Sequence, residues 1–216
     1  MSIWAIVPVK PLKRSKSRLA PVLSIEDREA FSKQLLAHTL DVLGKVSEIE
    51  KVLVVSRDPS VLRVAREHNA HTVIELGAPE LNEALTRATD FAITFGTDSV
   101  LVVPTDLPLL NVSDVQALIA SANSMSESIV LAPDRHETGT NAIFLRPPRV
   151  VPFVFGPDSF AHYLSLARDR GVEAHICRTQ GFMLDVDTPE DLELYRKGSF
   201  SPKQQSVPIT RFLVFR

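Results

Sequence analysis

Short apolar runs alternate with longer amphipathic stretches along most of the chain, and each apolar run is followed by a capping or turn-forming residue. Ile3–Val9 reads as a first strand. Ser24 then caps a helix over about Ile25 to Leu43, with Phe31, Leu35, Leu36, Thr39, Leu40 and Leu43 on one stripe. Lys51–Ser56 predicts the second strand and Pro59 to His68 the second helix. His71–Glu75 is a short strand, and a helix should start near Pro79 and run towards Phe95. The very apolar run Ser99–Val103 reads as a buried strand, with a helix following over about Val112 to Ala122. Ile129–Pro133 and Ala142–Leu145 are later strands, Asp158–Arg170 is a helix, and Thr188 caps a last helix opened by Pro189. This order predicts an α/β, three-layer fold with a mostly parallel central sheet and helices on both faces.

A length of 216 residues suits one domain, assigned to residues 1–198, where the alternation holds. It is lost over 199–216, which reads as a flexible tail or a contact for a second copy, so a homodimer is an open expectation. A net charge of −2 with dispersed basic residues speaks against nucleic-acid or membrane-surface partners. The single Cys177 forms no intramolecular disulfide, and the histidines lack metal-ligand spacing. No signal-peptide layout and no membrane-length apolar stretch is present, so a cytoplasmic protein is the expectation.

The chemistry gathers in a few segments. Asp106 ends the Ser99–Val103 run, and Asp185 and Asp187 stand two apart, so both carboxylates point the same way if that segment is extended. Single aspartates after strands also cap turns. Three that can converge suit a Mg²⁺ held for phosphate chemistry. The connection after the first strand carries Lys10, Lys13, Arg14, Lys16 and Arg18. It lies where open α/β sheets bind ligands, although a basic loop can also be plain solvated surface. Glycine-rich dinucleotide and P-loop signatures are absent, as is a serine-hydrolase elbow, so cations and metal would have to handle phosphate. Asn82, near a helix start, can read a base or ribose edge or simply serve the helix. In the 134–141 turn, backbone amides can cradle an anion, and Thr140 and Asn141 can hydrogen-bond a carboxylate or phosphate. Phe155–Ser159 has helix-start character, with exposed amides and the Ser159 hydroxyl suited to an anion.

Taken in order, Val7-Pro-Val-Lys10, Lys16-Ser-Arg18-Leu, Pro-Thr-Asp106-Leu-Pro-Leu, Pro133-Asp-Arg135 with Gly139-Thr140-Asn141, Phe155-Gly156-Pro-Asp-Ser159 and Leu-Asp185-Val-Asp187-Thr-Pro resemble the CofC/FbiD guanylyltransferase family. The match spans about residues 3 to 196. The resemblance implies a nucleotidyltransferase fold and transfer of GMP from GTP to phosphoenolpyruvate, with release of pyrophosphate, in coenzyme F(420) biosynthesis. The same reaction on 2-phospho-L-lactate or 3-phospho-D-glycerate, or on a sugar phosphate, is the alternative. It also implies Mg²⁺ at Asp106, Asp185 and Asp187, and nucleotide contacts from Lys10, Lys16 and Asn82. Arg18 would offset phosphate charge beside them. Asn141, Gly156 and Ser159 would contact the acid, with Arg135 and Thr140 counted in the same substrate-binding set. The chain departs from the pattern at His136-Glu137-Thr138 and after Gly198.

Overall fold

The structure, a computed structural model, describes residues 2–77, 80–122 and 126–198. The 199–216 tail and the start of the helix expected near Pro79 lie outside them. Strand β1 (Ile3–Pro8) leads through two short 3₁₀ turns, Leu12–Arg14 and Ser17–Leu19, to helix α1 (Ile25–Leu43). Then come β2 (Ile49–Ser56), α2 (Pro59–Glu67), β3 (His71–Ile74), α3 (Leu81–Thr94), β4 (Ser99–Val102) and α4 (Val112–Ala120). The second half holds β5 (Ser128–Pro133), β6 (Thr140–Arg146), α5 (Ser159–Arg170), β7 (Ala174–Ile176), α6 (Gln180–Met183) and α7 (Pro189–Arg196).

Among the described residues seven strands form one sheet in the order β3-β2-β1-β4-β6-β5-β7. All pairings are parallel except those of β6, which runs antiparallel to β4 and β5. The six residues between β5 and β6 are too few for a parallel crossover, so the pair closes as a hairpin.

Alternation along the strands builds two cores. Ile3, Ala5 and Val7 of β1 join Leu36 and Leu40 of α1, Val61 and Val64 of α2 and Val115 and Leu118 of α4 on one face. Trp4 and Ile6 join Leu85 and Ala88 of α3 and Phe160 and Tyr163 of α5 on the other. The sheet is therefore the middle of three layers, buried on both sides, which is why its strands read as continuous apolar runs. The predicted stripe of α1 is buried throughout, and Ser24 caps the helix by accepting from the Asp27 amide at 3.1 Å.

A third, smaller cluster matters most for function. Leu19 at the end of the basic loop packs with Phe31 and Leu35 of α1, with Leu184 and Val186, and with Leu192 and Tyr195 of α7. Each such leucine, fully withdrawn from water, contributes roughly 1.5–3 kcal/mol. The cluster fixes the basic loop and the Asp185–Asp187 segment to the same helix.

Candidate active site

The first connection is cationic yet firmly anchored. Leu12 and Leu19 are buried, and the Leu12 amide donates to Asp58 Oδ2 at 3.0 Å. Between these anchors Lys16 takes a left-handed backbone conformation (φ 54°), which costs a side-chain-bearing residue roughly 1–2 kcal/mol. That turn sends its side chain inward while Lys10 and Arg18 stay exposed.

Asp106 follows β4, and Asp185 and Asp187 come from the segment before α7. This segment joins no strand, yet it alternates as an extended chain. Leu184 and Val186 enter the third cluster, and the aspartates face the opposite way. The Val186 amide donates to the Asp106 carbonyl oxygen at 2.9 Å, locking the two carboxylate-bearing segments together. Lys16 Nζ lies 2.8 Å from Asp187 Oδ1 and 3.5 Å from Asp106 Oδ2, with its side chain only 6% exposed. Burial alone would lower its pKa, but the charges of Asp106, Asp187 and Asp185 outweigh it and hold it above lysine's ordinary value. Asp185 titrates above the usual carboxylate range. Burial is the main cause and the Asp106 charge adds to it, against a hydrogen bond from Asn141.

Whether these carboxylates suit a divalent cation can be judged from the donors. Among the described residues no three Asp, Glu, His or Cys side chains close a metal cage by themselves, because Lys16 stands between two of the aspartates. The donors are nevertheless all oxygen, three negative charges are felt at one point, and Asp106 Oδ1 is buried without a hydrogen-bond partner. Hard oxygen ligands with spare capacity fit Mg²⁺.

A cleft of about 510 Å³ opens over the carboxyl ends of β1, β2 and β4. It is lined by Lys10, Lys16, Arg18, Asp106 and Asp187, and also by Arg57, Glu75, Glu80 and Leu81. This is the volume of a nucleotide-sized ligand site, at the place where an open sheet changes strand order. Arg57, Glu75 and Glu80 escaped sequence reasoning, because residues on separate connections show no local pattern that joins them.

The remaining candidates do not line this cleft. Asn141 Nδ2 donates to the Phe182 carbonyl oxygen at 2.7 Å and to Asp185 Oδ1 at 3.3 Å, so it reaches the acidic site through Asp185. Thr140 is buried beside it, its hydroxyl without a partner. Arg135 donates to Asp191 Oδ1 at 2.6 Å. Asp191 Oδ2 in turn accepts from the Asp187 and Thr188 amides in the capping box that starts α7. Burial works against the Asp191 charge, but these hydrogen bonds, that from Arg135 foremost, keep it below the ordinary range. Arg135 thus positions the aspartate segment from behind.

Asn82 is committed to backbone: its Nδ2 donates to the Phe155 carbonyl at 3.1 Å and its Oδ1 accepts the Phe155 amide at 2.8 Å. With the Tyr163 hydroxyl accepting from the Val154 amide at 3.0 Å, it fixes the segment carrying Gly156 and Ser159. Gly156 has φ 143°, a conformation glycine favours, and Ser159 is buried at the first turn of α5.

The 134–141 turn differs from expectation. Its amides do cradle an anion, but the anion is the Asp134 carboxylate, which accepts from the His136, Thr138 and Gly139 amides. A Cβ on Gly139 would come within 2.9 Å of Asp134 Oδ2, so a larger residue there would push that carboxylate aside. Glu137, where the chain departs from the family pattern, turns outward to pair with Arg178 at 2.7 Å.

Comparison with known proteins bears on this geometry. A family model described as guanylyl transferase CofC like matches residues 3–204. The chain belongs to this family. It is 40% identical over 193 residues to a phosphoenolpyruvate guanylyltransferase of Sphaerobacter thermophilus, covering 89% of this chain and 92% of that one. It is 34% identical over 216 residues to a 2-phospho-L-lactate guanylyltransferase of Methanothermobacter thermautotrophicus, covering 99% and 93%. Among solved structures, one described as a nucleotide-diphospho-sugar transferase from Desulfovibrio desulfuricans superposes with a TM-score of 0.77 at 19% identity, covering 95% and 92%. A nucleotidyl transferase from a Methanothermobacter gives 0.64 at 14% identity, covering 92% and 97%. At those identities the structures speak for the fold alone, and that fold is the one expected from the CofC-like pattern. Among the described residues no helix is long and apolar enough to cross a membrane.

Proposed function

We propose that this chain is a Mg²⁺-dependent guanylyltransferase that moves GMP from GTP to a small phosphorylated three-carbon acid, phosphoenolpyruvate first, and releases pyrophosphate. The observation that carries the reading is the convergence of Asp106, Asp187 and Asp185 on the buried Lys16, beside a nucleotide-sized cleft that Lys16, Asp106 and Asp187 line, in a CofC-like chain. The names of the relatives support the donor and the acid class.

A phosphate oxygen of the acid forms a bond to the α-phosphorus of GTP, and the bond from that phosphorus to the β-bridging oxygen breaks. Pyrophosphate leaves with the electron pair. The attacking oxygen is already ionised, so the protein has no proton to remove; its work is to bring two anions together. Lys10 and Arg18, exposed at the cleft, offset phosphate charge, and Lys16 holds a positive charge among the aspartates. Asp106, Asp185 and Asp187 would hold Mg²⁺, which when bound supplies charge neutralisation at the α-phosphate and pyrophosphate. Thr140, with its unpartnered buried hydroxyl, and Asn141, Gly156 and Ser159 would take the acid.

The test is pyrophosphate release from GTP and Mg²⁺ with phosphoenolpyruvate, 2-phospho-L-lactate and 3-phospho-D-glycerate in turn, the product being identified by mass. A guanylylated acid is expected, strongest with phosphoenolpyruvate. Asp106→Asn should lower turnover roughly a thousand-fold with the fold retained by circular dichroism. Near-normal transfer by that variant would overturn the metal assignment, and no release with any acid would overturn the activity.

A further inference from the structure

The cleft reaches well beyond the aspartates. Its lining runs from Pro104, Thr105 and Asp106 after β4 to Glu75 after β3. In the strand order β3-β2-β1-β4 these ends are three spacings apart, roughly 14 Å. That is the scale of a nucleoside monophosphate laid across the strand ends. With phosphates beside Lys16, the base falls at the β3 end. Apolar surface for a purine face is present there in Leu81, 40% exposed, and Ala84.

Four carboxylates line the cleft. Asp106 and Asp187 are held by Lys16. Glu80 caps α3, one oxygen accepting the Asn82 amide at 3.1 Å and the other the Glu83 amide at 2.7 Å. Glu75 is placed differently. Arg57 holds it by both oxygens, Nη2 at 3.0 Å from Oε1 and Nε at 3.2 Å from Oε2, and Arg57 Nη2 also donates to the Gly77 carbonyl at 3.3 Å. The Glu75 side chain is 14% exposed. A carboxylate accepts about four hydrogen bonds, so each oxygen keeps the lone pair that points away from Arg57, in an orientation the ion pair fixes.

We propose that Glu75 selects the base: one oxygen of its carboxylate, on the side turned away from Arg57, accepts the N1–H and 2-amino donors of guanine. The assignment rests on the guanylyltransferase reading and goes beyond it to the origin of base choice. Guanine offers two adjacent donors on that edge. Adenine offers a ring-nitrogen lone pair at position 1, which a carboxylate repels. Hypoxanthine keeps N1–H and lacks the 2-amino group.

The experiment compares kcat/KM for GTP and inosine triphosphate in wild type, Glu75→Ala and Glu75→Gln. A donor lost opposite a charged acceptor is worth roughly ten- to a hundred-fold, so wild type should prefer GTP by that factor. In Glu75→Ala the two nucleotides should come within about threefold of each other. Glu75→Gln, which preserves shape and loses charge, should lower the preference at least about threefold and serves if the alanine variant fails to fold. Each preference is a ratio within one preparation, so a change in the folded fraction cancels. If the Arg57–Glu75 pair merely clips the ends of β2 and β3, the variants keep the wild-type preference and the assignment falls. It falls equally if wild type uses both nucleotides alike. Wild type that guanylylates no acid from GTP overturns the activity itself, a result read before any ratio is formed.

Discussion

Replacing Lys16 by Met keeps the stem and removes the one charge facing three aspartates. At an effective dielectric constant of ~20, the 2.8 Å and 3.5 Å contacts correspond to attractions of about 6 and about 5 kcal/mol. Burying the ammonium offsets much of this. Stripping one partner from a buried pair costs about 3–5 kcal/mol, and the 41% exposure of the Asp187 side chain places this case at about 3. For a domain of this size, that lowers the melting temperature by roughly 6–12 °C in metal-free buffer. Because Lys16 titrates above its ordinary value, its contribution is fully present below pH 10.5 and is lost as pH rises through the higher folded value. The gap between wild type and Lys16→Met should therefore stay flat from about pH 6 to about pH 9. Thermal unfolding across that range is the assay. Adding Mg²⁺ should raise the variant's melting temperature more than that of wild type, since its carboxylates have lost their internal cation. A variant melting within about 1 °C of wild type without metal would refute the reasoning.

Two further substitutions test the surroundings. Asp185 titrates above the usual range, so its favourable contribution is full below pH 3.8 and is lost as pH rises through its folded value; at neutral pH its charge is a burden. Asp185→Asn should raise the metal-free melting temperature by roughly 2–4 °C while abolishing turnover, and a fall in stability would contradict this. Asn82→Ala frees the Phe155 backbone and should raise KM for the acid at least about tenfold, with a smaller change for GTP. Equal effects on both substrates in steady-state kinetics would show that Asn82 does not act through the Gly156–Ser159 segment.

The three layers and most elements were legible because apolar runs and amphipathic stripes are local properties. Helix α1 begins and ends where its pattern does. Among the elements left unread, β7 and α6 span three and four residues. At that length neither alternation nor helical periodicity completes a cycle, and pairing with β5 alone decides β7. The aspartates and Lys16 were readable as candidates because their segments carry strong strand, loop and cap signals. Their convergence was not, since it depends on a left-handed turn at Lys16 and on packing by Leu19 and Val186. Arg135 and Asn82 show the same boundary. The sequence marks them as polar residues near the site, while only the structure shows their hydrogen bonds going to Asp191 and Phe155. Partners 56 and 73 residues apart leave no trace in a local window.

The third apolar cluster gives the cleft one stiff jaw. Leu19, Val186 and Leu192 share a core with Phe31 and Leu35, so the basic loop, the aspartate segment and the end of α7 form one wall with α1. Swinging that wall outward would expose fully buried leucine and valine to water. The facing wall is more open: Leu81 is 40% exposed, and among the described residues Glu80 caps its own helix. Lys16 and the aspartates therefore hold their spacing for as long as that shared core stays closed.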